Sequence, residues 1–142
     1  MKNSFRELNL EWLNKYFFVT EEDDQILLNP EKIIVDGGFI FFALLNRKVV
    51  GTCAMIKEQG DSFELAKMAV TTSAQGKGIG SLLLESAIAE ARKRGALIVN
   101  LDTASPLESA IALYKKAGFV QTTPEHIHET FKRVTFSMEF KL

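Results

Sequence analysis

Gln75-Gly76-Lys77-Gly78-Ile79-Gly80 stands between an apolar run, Phe63 to Val70, and an amphipathic run, Ser81 to Arg94. That order predicts strand, glycine loop, helix. Three glycines at alternate positions remove the Cβ atoms that would hold another molecule away from the backbone. The helix that follows turns its first N–H groups, which lack intrahelical partners, back toward the loop. Those amides, the positive end of the helix and the charge of Lys77 suit a phosphate or pyrophosphate. Which phosphate ligand it is depends on the chain to either side.

Upstream lie three strand patterns: Phe39 to Leu45, a turn at Asn46-Arg47-Lys48, Val49 to Lys57, a turn near Gln59-Gly60-Asp61, and Phe63 to Val70. They predict an antiparallel meander. Before it, Phe5 to Leu10 reads as a short first strand. Asn9 then caps a helix from Glu11 to Phe18, with Leu10, Leu13, Phe17 and Trp12 on one side. Glu21-Glu22-Asp23-Asp24 punctuates, and Pro30 opens a short helix, Glu31 to Val35, stopped by Gly37-Gly38. Downstream, the helix from Gly78 is expected to turn Ile79, Leu82, Leu83, Ala87 and Ala91 inward and Glu85, Glu90, Arg92 and Lys93 outward, ending before Gly95. Ala96 to Leu101 reads as a buried strand, and the crossover rule makes it parallel to Phe63–Val70. A second helix starts at Ser105-Pro106, points Leu107, Ala110, Ile111 and Tyr114 inward, and ends at Ala117-Gly118. Phe119 begins another strand, the loop Thr122 to Glu129 follows, and Phe131 to Phe140 is the last strand. This is an α+β pattern, one sheet with helices on both faces.

The 142 residues predict a single domain, 1–142, able to bury a core without staples. Hydrophobic residues at 46% and charged residues at 25% argue for a globular chain and against a disordered one. With 17 Lys+Arg against 18 Asp+Glu, nothing attracts the whole chain to nucleic acid or to an anionic membrane. Cys53 is alone, so a disulfide framework and a thiolate metal cluster are excluded, and it reads as a small core residue. The first residues turn acidic before an apolar leader could form, and the longest apolar run is too short for a bilayer, so a cytoplasmic location is expected.

Three nucleotide-type motifs compete for the loop. A P-loop requires Lys-Ser/Thr after its last glycine, whereas Leu82 follows Gly80-Ser81. The dinucleotide fingerprint nearly fits, with Asp102 at the distance of a ribose contact. Ser81, however, replaces its third glycine, and Thr71-Thr72-Ser73-Ala74 separates strand from loop. The third pattern fits in two places. Gln75 through Gly80 matches Gln/Arg-x-x-Gly-x-Gly/Ala after a strand, and Ala110 through Phe119 supplies a helix ending in tyrosine and then Gly-Phe. In these two blocks the chain resembles the GCN5-related N-acetyltransferases (GNAT), specifically over Phe63–Phe119 and loosely over Phe39–Ser62 and the last strand.

The resemblance implies the acyl-CoA N-acyltransferase fold: a mostly antiparallel sheet with a splayed parallel strand pair. It implies acetyl-CoA as co-substrate, no metal, and acetyl transfer to a primary amine of a small molecule or peptide. Main-chain amides of Gln75, Gly76, Lys77, Gly78, Ile79, Gly80 and Ser81 would hold the pyrophosphate. Main-chain groups of Met68, Ala69 and Val70 would meet the pantetheine arm, and an amide there would stabilise the oxyanion. Tyr114 is the expected general acid toward the CoA sulfur, although its periodicity alone fits a core tyrosine. Glu64, eleven residues before Gln75, is the expected base, with a water relay as the alternative and Glu22 or Asp24 as recruiters of a cationic substrate. Many family members carry an asparagine where this chain has Leu107, so Ser105, Ser109 or main chain would contact the cofactor instead. His126 and His128 lack the spacing of a zinc helix. A non-catalytic acyl-CoA-binding sensor is the competing class. A homodimer is common in the family, but no residue pattern here marks one.

Overall fold

The computed structural model describes residues 2–16, 29–104, 107–127 and 134–142. Helix α1 spans Lys2–Tyr16 and α2 spans Glu31–Val35. Strands β1 (Phe39–Leu45), β2 (Lys48–Glu58) and β3 (Ser62–Val70) follow, then a 3-10 turn, Thr72–Ala74. Helix α3 (Ile79–Lys93), β4 (Ile98–Thr103), α4 (Glu108–Ala117), β5 (Val120–Gln121), β6 (His126–Ile127) and β7 (Val134–Lys141) complete the chain. The sheet order is β1-β2-β3-β4-β7-β5, with β6 against β7. Among the described residues, only β3 and β4 run parallel; every other pair is antiparallel. The expected α+β sheet with one parallel pair is therefore present, and the meander of β1 to β3 stands where the sequence placed it.

Two cores sandwich the sheet. On one face Phe39, Cys53, Met55, Phe63, Leu65, Val99, Leu101, Phe136 and Met138 pack against Leu83, Leu84, Ala87 and Ala91 of α3, with Ile111, Leu113 and Tyr114 of α4 against the same cluster. On the other face Phe5 and Ile33, from α1 and α2, pack on Ala54, with Ile40, Phe42 and Ile56 around them. Strand alternation does this sorting, since adjacent residues face opposite sides of the sheet. Each fully buried Leu, Phe or Met contributes roughly 1.5–3 kcal/mol over an exposed one.

Three expectations need correction. Residues 5–10 are not a strand but the first half of α1, and Asn9 is not a cap. Phe5, Leu8 and Asn9 are buried, at helical spacing, and Asn9 meets the cost of its burial by donating Nδ2–H to the Phe5 carbonyl at 2.9 Å, one turn back. On α3, Leu82 is 63% exposed and Leu84 1%, so the apolar stripe lies one position round from the one expected. The loop at 122–129 holds β6, whose His126 and Ile127 pair with Thr135 and Val134. Trp12, Leu13, Phe17, Glu22, Asp24 and Phe131 as side chains lie outside what is described. Among the described residues, no helix is long and apolar enough to cross a membrane.

Candidate functional site

The loop between β3 and α3 is built by glycine. Gly76 and Gly78 have φ of +80° and +78°, the left-handed region, and a Cβ on either would meet nothing within 4 Å. The backbone there borders open space. Gln75 locks the loop to its strand: its Nε2–H donates to the Val70 carbonyl at 3.1 Å. Gly78 is the N-cap of α3 and carries no side chain to cap it. The first helical rung runs from Leu82 N–H to the Gly78 carbonyl at 3.1 Å, so the amides of Ile79, Gly80 and Ser81 have no partner within the helix. Gly80 is needed for a different reason: a Cβ there would lie 3.3 Å from both Leu113 Cδ2 and Met68 Cε.

Beside this loop the sheet opens. Parallel pairing of β3 with β4 covers Ser62, Glu64 and the residue between, and then stops. β3 runs on along β2, whereas β4 runs on to Thr103 along β7. The gap leads into a cleft of about 610 Å³. Met68, Ala69, Val70 and the loop and helix start form one wall; Leu107, Ser109, Ala110, Leu113 and Tyr114 form the other. The structure thus brings Met68, Ala69, Val70, Gln75, Gly76, Gly78, Ile79, Gly80, Ser81, Ser109 and Tyr114 together. Lys77 instead lines a neighbouring groove with Phe41, Leu44, Leu45 and Leu82. Ser105 lies outside the described residues. Leu107, at the departure from the family pattern, is buried and gives this wall an apolar surface.

A bulge in β3 went unseen in the sequence. Thr52 pairs with Ala69 and Ala54 with Ala66, so Lys67 and Met68 both stand opposite Cys53. Lys67 takes a φ of +52°, rare for a residue with a side chain. The extra residue inverts the alternation. Phe63 and Leu65 face the α3 core before it, and Met68 and Val70 face that core after it. Glu64, paired with Ile56, therefore points to the face where α1 lies. The two residues expected to perform the chemistry sit on opposite faces of the sheet, on either side of the bulge and the splay.

Their environments differ as well. Glu64 is half-buried, and burial first, then the charges of Glu58 and Asp102, push its carboxyl up to about 7; Lys67 pulls the other way. Tyr114 packs its ring on Phe119, 5.9 Å between centroids. Burial and the Cys53 thiol push its phenol up to about 12, so it stays a donor at neutral pH. Burial likewise raises the Cys53 thiol to about 12, which makes this cysteine an inert core residue. Among the described residues, no group of three or more His, Cys, Asp and Glu is arranged to hold a metal ion.

Known proteins agree with this geometry. The Acetyltransferase (GNAT) family profile matches residues 6–119. An uncharacterized N-acetyltransferase of Bacillus subtilis, YvbK, is 32% identical over 98 residues, 66% of this chain and 63% of its own length. The probable N-acetyltransferase camello of Xenopus laevis is 31% identical over 101 residues, 70% of this chain and 46% of its own. The chain thus spans less than two thirds of the length of either relative. Among solved structures, a GNAT-family acetyltransferase of Staphylococcus aureus superposes with a TM-score of 0.86 at 22% identity, covering 99% of this chain and 92% of that one. The yncA structure of Salmonella typhimurium, a putative acetyltransferase with acetyl-CoA as its cofactor, gives 0.79 at 20% identity, covering 99% and 90%. Glycine loop, splayed strands, second block and profile match lead to one conclusion: the chain belongs to the GNAT family of acetyltransferases.

Proposed function

We propose that the protein transfers an acetyl group from acetyl-CoA to a primary amine of a small molecule or peptide, by direct attack on the thioester. The observation that carries this reading is the shared cleft, in which unpartnered helix-start amides, the freed edge of β3 and Tyr114 line one cavity. The residues fit the co-substrate: space stands open where Gly76 and Gly78 lack a Cβ, as a pyrophosphate between loop amides requires. Acetyl-CoA supplies the activated acyl group. This chain's residues do the rest.

The loop amides hold the pyrophosphate, and main chain at Met68 and Val70 holds the pantetheine arm in the splay. The bulge at Lys67 and Met68 turns backbone out of the ladder, and an amide there meets the charge that develops on the thioester oxygen. The amine approaches from the α1 face, where Glu64, or a water it orients, takes its proton. A carboxyl near 7 suits this task better than one at its ordinary value. As the C–S bond breaks, Tyr114 donates a hydrogen bond to the CoA sulfur. A phenol near 12 is a poorer acid than a thiol at about 8.5, so Tyr114 steadies the thiolate and the final proton comes from solvent.

Thiol release from acetyl-CoA in the presence of an amine panel tests the assignment. Turnover on at least one amine is expected. CoA binding without turnover on any amine would turn the reading toward an acyl-CoA sensor.

A further inference from the structure

Glu58 closes β2 and Ser62 opens β3, and the two pair across the hairpin. Glu64 pairs with Ile56 on β2 and Asn100 on β4, and Asn100 with Glu139 on β7. Alternation turns Glu58, Ser62, Glu64, Asn100, Asp102 and Glu139 to the α1 face of the sheet.

The donors on this face are shared unequally. Asn100 Nδ2 donates to Glu58 Oε1 and, at 3.2 Å, to Ser62 Oγ. The Ser62 hydroxyl in turn donates to the same Glu58 oxygen at 3.3 Å. Asn100 is the side chain directly beside Glu64, yet its amide N–H groups go to Glu58 and Ser62. Glu58 is clamped by donors alone, an arrangement that suits a carboxylate, whereas Glu64 receives no donor from the same amide.

We propose that Glu58 is a positioning residue for acetyl transfer: Asn100 and Ser62 clamp its carboxylate beside Glu64, and that fixed negative charge makes Glu64 the carboxyl that takes the acceptor's proton. The proposal rests on the reading of Glu64 as base. Strand spacing and rise put the two carboxyl-bearing positions about 8 Å apart. At that separation a unit charge moves a titration midpoint by about half a pH unit in a watery setting and about one and a half in a partly buried one. The other charges that act on Glu64 are Lys67 on the same strand, which opposes the effect, and Asp102 on β4, which adds to it and accepts from Ser137 Oγ at 2.6 Å. Among the described residues, Glu139 stands on β7, and α1 carries Arg6, which is half-buried, and Glu7 and Glu11, which are exposed.

The test needs no acceptor. In protein carrying 13C at the glutamate carboxyl carbon, the Glu64 resonance, identified by its loss in E64Q, is titrated by NMR. In Glu58→Gln its midpoint falls by about half to one and a half pH units, and Glu58→Asp keeps most of the wild-type value. Asn100→Ala, which frees Glu58 to swing into water, lowers it by a smaller step and serves if E58Q does not fold. A midpoint that stays in place in both E58Q and N100A overturns the proposal. The acid limb of kcat/KM, measured on the amine that the panel yields, moves in step with the NMR midpoint. A limb that stays put while the midpoint moves overturns Glu64 as base and leaves the electrostatic link standing.

Discussion

Replacing Gly80 by alanine separates the fold from the cofactor path. The residue lies in the first turn of α3 without a positive φ, so alanine is free to adopt its backbone. Helix propensity then favours alanine by about 0.8–1 kcal/mol. Against this, the new methyl would stand 3.3 Å from Leu113 Cδ2 and Met68 Cε, each of which must yield by a few tenths of an ångström. Both are flexible side-chain ends, so the two effects roughly cancel and Tm should stay within about 3 °C of wild type. Binding should respond differently. Met68 and Leu113 are opposing walls of the cleft, and a methyl wedged between them pushes both into the space proposed for pantetheine. With the strain on folding offset, the narrowing of this neck should cost CoA about 1–3 kcal/mol of binding, a rise in Kd of roughly 5- to 150-fold. Calorimetric titration of CoA and a thermal melt on the same sample decide it. An unchanged Kd with an unchanged Tm would refute the placement of the ligand in this neck.

Three further outcomes are expected. Tyr114→Phe should lower kcat by about tenfold to a hundredfold while CoA binding, measured by the same titration, stays within about twofold, because only a hydrogen bond to the leaving sulfur is lost. Glu64 binds its proton more tightly folded, about 7 against the ordinary 4.5, so its contribution to stability is complete below pH about 4 and is lost as pH rises through 7. Glu64→Gln should therefore match wild type in urea unfolding at pH 4 and exceed it by about 1–3 kcal/mol at pH 8; equal curves at pH 8 would contradict the burial of this carboxyl. Gly118→Ala places a Cβ 2.8 Å from Phe140 Cε2 at a φ of +116°, so a loss of about 2–4 kcal/mol in the same assay is expected.

The parts of the fold that were legible in the sequence are those where backbone geometry admits few residues. Gly76, Gly78 and Gly118 all sit at positive φ, and they anchor the two blocks that pointed to the family. The strands β1 to β3 were legible because turn residues bound their apolar runs. Helix α1 was misread because the first half of the segment, Phe5 to Leu10, mimics a short strand, while a buried asparagine interrupts the helical stripe. The bulge was hidden because a lysine occupies its left-handed position, where glycine or asparagine would have signalled it. Tyr114 lines the cleft beside the glycine loop, but Glu64 faces the other side of the sheet, and a single extra residue in β3, invisible to simple alternation, decides which of its residues share a face. The clamp on Glu58 joins residues 42 apart in the chain, beyond any local pattern.

The inverted alternation at Lys67 and Met68 also divides the labour of change. On the proposed reading, one strand presents the co-substrate wall on one face and the acceptor wall on the other, and the two meet only across the splay. Substitutions in α1 can then reshape which amine is received while the glycine loop and its cleft stay untouched. On that reading the fold separates the choice of acceptor from the choice of donor, because each is made on its own face of one strand.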